Sequence, residues 1–119
     1  MKKVSAAILD FAAPLTDRLA DDTPLDVRRE TLRLAITIWN ALVYQACGEG
    51  EYLTELFAHL RKLPPGASAA MAPLVQALIL RRHQRHADDL RLVGDWELKD
   101  LGDGELSLRA VAHAAPAKK

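Results

Sequence analysis

Along residues 32–47, LRLAITIWNALVYQAC, the polar positions Arg33, Thr37, Asn40 and Tyr44 are separated by four, three and four residues. On an α-helix they share one narrow stripe, and apart from Gln45 everything around them is apolar. A helix apolar over most of its circumference belongs inside a protein or a membrane, and a run interrupted by these polar groups makes a poor membrane span. The stretch therefore reads as the central, buried helix of a small soluble domain. Its start is expected at Thr23 as N-cap, with Pro24 at the first helical position and Asp26 near the positive end of the dipole. Its end is expected near Ala46, with Gly48 or Gly50 as the left-handed residue that closes it.

The flanking segments repeat the helical period. Val4, Ile8, Phe11, Leu15 and Leu19 predict a first helix over about 5–20, which Pro14 either kinks or splits into two pieces. Leu53, Leu56, Phe57, Leu60 and Leu63 predict a third helix, stopped by Pro64 and Pro65. PPGASAAMAP reads as a connection with at most a short helical turn, and Leu74, Val75, Leu78 and Ile79 predict a fourth helix to about Ala87, with Pro73 near its start. From Leu90 the period changes to two: Leu92, Gly94, Trp96 and Leu98 fall on one face of a strand near 91–99, and Leu106, Leu108, Ala110 and Ala112 on one face of a strand near 105–113. DLGDG between them has the chemistry of a hairpin turn. The expected fold is α+β and mainly helical, about four helices around the central one with a C-terminal β-hairpin, in a single domain over 1–113 and a disordered tail over 114–119.

Charge narrows the function classes. Sixteen basic and sixteen acidic residues give zero formal net charge, so no overall field draws in nucleic acid or anionic lipid, and no net repulsion opposes self-association. The single Cys47 excludes an internal disulfide and a cysteine zinc cluster. A cytoplasmic location is expected, since Asp10 interrupts the apolar run that would otherwise resemble a signal peptide. Locally, Arg81, Arg82, Arg85 and Arg91 precede an acidic segment with Asp95, Glu97, Asp100, Asp103 and Glu105, and the two are expected to attract each other.

Candidate chemistry is sparse. Arg81, Arg82 and Arg85, with the histidines of RRHQRH, suit a phosphate backbone, but cations also belong at a helix C-terminus, and no aromatic is interleaved for base stacking. His83 and His86 share a helix face, as do Glu51, Glu55 and His59; neither row supplies a closed set of metal ligands, so no metal or other cofactor is expected. The Gly66–Ala70 segment lacks the strand a nucleophile elbow needs, and Gly48-Glu49-Gly50 runs into Glu51, which repels phosphate. Arg33, Asn40 and Tyr44 form either a polar pocket, a seam between subunits, or a solvated helix edge. The leading expectation is a non-enzymatic interaction protein that forms a two-fold homodimer or binds another protein, because a lone hairpin leaves strand edges open and three short helices leave part of the central one uncovered. A nucleic-acid accessory protein using Arg81–His86 comes second, and a small metal- or ligand-binding enzyme third.

Overall fold

In the computed structural model, described here for residues 3–102 and 105–115, four helices are followed by an antiparallel hairpin: α1 (Val4–Thr16), α2 (Leu25–Ala46), α3 (Glu51–Arg61), α4 (Pro65–Arg85), β1 (Arg91–Gly102) and β2 (Glu105–Ala114). The fold is α+β and mainly helical, as the periodicities predict. Eight of the nineteen buried apolar residues lie on α2 and six on α1, with Trp39, Phe11, Ile8 and Ile38 the bulkiest of the fully enclosed side chains on the two helices. The Phe11 and Trp39 rings meet edge to face at 5.2 Å between centroids. α2 packs on α1, α3, α4 and β1, while β2 packs on α1. No described helix is long and apolar enough to cross a membrane.

Local chemistry explains the helix ends. α2 begins at Leu25 with Pro24, not Thr23, in the cap position; Thr23 offers no side-chain cap, and its carbonyl is bound by the Arg28 side chain, which also reaches the carbonyls of Ala20 and Asp21. Gly48 closes the helix with φ 90°, its N–H donating to the Gln45 carbonyl while that of Glu49 donates to Tyr44, the paired bonds of a Schellman ending. α1 is one piece through Pro14 and stops at Thr16, so Leu19 lies outside it.

Two departures from the sequence reading concern α4 and β1. The segment expected to be a connector is the first half of α4, which starts with Pro65 at its first position and carries Pro73 inside. Its alanines have the highest intrinsic helix propensity, and a continuous helix forfeits only the bond Pro73 cannot donate to the Ala69 carbonyl. In β1, the register slips between Val93 and Trp96: Val93 pairs with Ala112 and Trp96 with Ala110, so Gly94 and Asp95 together oppose Val111. This bulge reverses the alternation, and Val93, only 5% exposed, joins Trp96 and Leu98 on the helix-facing side in place of Gly94. A Cβ at Gly94 would meet the exposed His113 ring, which would have to turn aside. At the C-terminus, Ala114 ends β2 and Ala115 packs on the core, so the expected tail does not begin at 114; residues 116–119, and Asp103 and Gly104 of the turn, lie outside the described residues.

Replacing Pro73 by Ala restores the missing donor at an exposed position and is expected to stabilise the protein by about 1–3 kcal/mol. Denaturant unfolding should show a higher midpoint at unchanged slope; a lower midpoint would contradict a helix continuous through Pro73.

Candidate functional site

The hairpin is held on the helices by one of its two edges. Asn40, midway along α2, donates from Nδ2 to the Val93 carbonyl at 2.9 Å and accepts the Val93 N–H on Oδ1 at 2.8 Å, filling both backbone positions a neighbouring strand would occupy. One residue earlier, Trp39 Nε1 donates to the Arg91 carbonyl at 2.7 Å, and towards the start of the helix Arg29 Nη2 donates to the Leu98 carbonyl at 3.3 Å. Arg33 lies over the Trp96 ring, 5.4 Å from its centroid. α2 thus acts as a substitute strand for β1.

The other edge follows from this geometry. The Val93 N–H and carbonyl point away from β2, so Val93 and its partner Ala112 form a pair without mutual hydrogen bonds. Carried along the register past the bulge, the same alternation turns the N–H and carbonyl of Leu106, Leu108, Ala110 and Ala112 to the outer side of β2. Among the described residues no other element bonds to them. Leu101, Leu106 and Val111 are exposed apolar side chains on this same hairpin, Leu106 by 40%. On the solvent face, Glu105 and Arg109 are exposed, and neither is in an ion pair with a described residue.

The candidate arginines of the basic segment sit elsewhere, Arg82 buried, Arg81 half-buried and Arg85 exposed. Asp10 of α1 accepts Arg81 Nη2 and Arg85 Nη1 on Oδ1, each at 2.9 Å, and contacts His86 Nε2 through Oδ2 at 2.8 Å. Arg81 Nε also donates to the Asp10 carbonyl at 2.5 Å. That carbonyl is free because Pro14, four residues on, has no N–H to give it. The ion-pair partner of these arginines is therefore α1, and the expected attraction to the acidic hairpin is corrected. Arg82 is 3% exposed and stacks 4.6 Å from the Trp39 ring centroid, its two terminal nitrogens without a hydrogen-bond partner among the described residues. Burial lowers its pKa, partly opposed by the charge of Asp89. Asp89 is itself gripped by Arg91 through two bonds of 2.9 and 2.6 Å, which close the turn from α4 into β1.

The histidine and carboxylate candidates fall in two clefts. His83 and His86 both line an open cleft of about 460 Å³ with Asp88 and Asp89, His83 exposed and His86 buried against Trp39 and Asp10. Glu55 and His59 line a groove of about 530 Å³ between α2 and α3, together with Asn40 and Tyr44; Glu51 does not line it. Tyr44 stacks there on Tyr52 at 4.3 Å. No group of three or more potential metal ligands is gathered among the described residues. Arg33 lines a different cleft, with Trp96 and Glu97, so the stripe read from the sequence is divided by the docked strand. The sequence reading missed the roles of Asp10 and of Trp39 Nε1; only the proline four residues after Asp10 hinted that its carbonyl needed a donor.

No family model, curated protein or solved structure matches this chain.

The Asp10 cluster gives a pH signature. Burial raises the Asp10 pKa, but the bonds from His86 and Arg81 and the charges of Arg81 and Arg85 outweigh it and hold the carboxyl below its ordinary value of 3.8. A depressed folded pKa contributes stability that is complete above the unfolded value and is lost as pH falls through the folded one. Asp10→Asn is expected to cost about 2 kcal/mol near neutral pH, with the difference from wild type shrinking below about pH 4. Thermal unfolding across pH checks this; a difference constant down to pH 2 would contradict it.

Proposed function

We propose that this chain is a small non-enzymatic interaction protein that acts as a two-fold homodimer. The observation that carries the reading is the outer edge of β2, where backbone donors and acceptors and exposed apolar side chains lie side by side. A two-stranded sheet is marginal by itself, and an open edge is a template for another strand. On the β1 side, α2 covers part of the edge, with Asn40 on Val93, Trp39 on the Arg91 carbonyl and Arg29 on the Leu98 carbonyl. On the β2 side a second copy would do so, and zero net charge leaves its approach unopposed.

The two alternative readings have less behind them. Arg81 and Arg85 are bonded to Asp10, and Arg82 is buried, so the basic segment presents no free row of cations for a phosphate backbone. Glu55 and His59 share a groove with Tyr44, but among the described residues no further carboxylate or imidazole lines it to complete a reactive set. Association is read by light scattering after gel filtration over a micromolar concentration series. A mass of twice the 13.1 kDa of the chain is expected at high concentration; a monomer mass persisting to the top of the series would refute the proposal.

A further inference from the structure

The geometry points to a specific interface for this dimer: β2 of one protomer pairs antiparallel with β2 of its partner about a two-fold axis at Ser107, joining the two hairpins into one four-stranded sheet. The inference rests on the homodimer reading and adds the surface, the register and the residues that select it.

The register follows from two constraints. In an antiparallel pair, residues whose backbone groups face the partner must oppose residues that also face it. Because the outward residues of β2 are Leu106, Leu108, Ala110 and Ala112, the two-fold axis must pass through a residue and cannot fall between two. Charge then chooses among the remaining positions. Centred on Ser107, the strands set Glu105 against the partner's Arg109 on the solvent face, twice by symmetry, and Leu106 against the partner's Leu108 on the other. Centred on Arg109, the axis would bring the two arginines together; centred on Leu108, it would place Arg109 opposite Ser107. Of the positions along β2, only the Ser107 axis opposes unlike charges.

This arrangement also continues the existing sheet. Within one hairpin Arg109 already lies opposite Glu97, and Leu98 opposite Leu108. Across the axis the solvent face would read Glu97, Arg109 and then the partner's Glu105, an alternating row. The helix-facing side would read Leu98, Leu108 and then the partner's Leu106, an apolar row that covers a side chain now exposed. Cross-strand pairs of these kinds favour a register, whereas like charges directly opposite each other disfavour it. The contact lies at the turn end of the hairpin, where β1 beyond Leu98 is exposed.

Charge reversal tests the register. Glu105→Arg sets arginine against the partner's Arg109, and Arg109→Glu sets glutamate against the partner's Glu105, so each variant alone should raise the dimer dissociation constant about tenfold or more. Mixed together, the two variants regain both attractive pairs, and native mass spectrometry should show the heterodimer in excess over either homodimer. Circular dichroism of each variant verifies that its fold is retained. Wild-type dimers whose affinity is unaffected by both substitutions, with statistical mixing of the variants, would overturn this interface and leave the homodimer standing. Wild-type protein that stays monomeric would overturn both.

Discussion

The side-chain amide of Asn40 replaces a strand, and the arrangement of the hairpin depends on that substitution. Its two bonds to Val93 satisfy a donor and an acceptor that would otherwise be left unpaired where β1 packs on α2, and a buried backbone group without a partner costs about 1–3 kcal/mol. They also set the direction in which every following backbone group points. The bulge at Gly94 and Asp95 lets Val93 and Trp96 reach the same side of the sheet while the Asn40 bonds remain in place. Anchored this way, β1 has its outer edge bonded to α2 at Arg91, Val93 and Leu98, whereas the outer edge of β2 has no such bond among the described residues, and the asymmetry between them is the basis for reading the chain as an interaction protein.

A second polar device holds α1 to α4. Pro14 leaves the Asp10 carbonyl without its helical donor, and Arg81 fills that place through Nε while its Nη2 binds the carboxylate of the same residue. Arg85 and His86 complete the shell around Asp10, and His86 carries the contact inward to Trp39. The basic segment is thus a clamp between helices, with Arg81 and Arg85 both bonded to Asp10 of α1. The same Trp39 ring bears the Arg82 guanidinium and donates to β1, so α1, α4 and the hairpin meet at one side chain of α2.

Much of the fold is legible in the sequence because burial imposes period. The apolar positions of α2 and α3 and the turn at Gly48 follow from spacing and from one left-handed residue. What is not legible depends on partners distant in the chain. Pro73 reads as a boundary, since nothing local shows that an alanine-rich flank will carry a helix through it. The bulge is invisible to a period-two reading because Gly94 fits either face until His113 is placed beside it. Asn40 and Tyr44 are marked by their polar stripe, yet whether they line a pocket or hold a strand depends on residues more than fifty positions away for Asn40 and on the neighbouring α3 for Tyr44. Arg81, Arg82 and Arg85 stand out as a cluster, while Asp10, which organises two of them, is separated from them by about seventy residues.

β1 is held by α2 within one chain, and in the proposed dimer the outer edge of β2 is covered by a second copy. Residue-resolved amide hydrogen exchange at low and high protein concentration tests this arrangement most directly. The Val93 amide, bonded to Asn40, is expected to be protected at both concentrations. The amides of Leu106 and Leu108 should exchange rapidly when dilute and become protected when concentrated, with that of Ala112, beyond the proposed overlap, remaining fast. Leu106 and Leu108 exchanging at the same rate at both concentrations, or a Val93 amide as labile as theirs, would contradict the account.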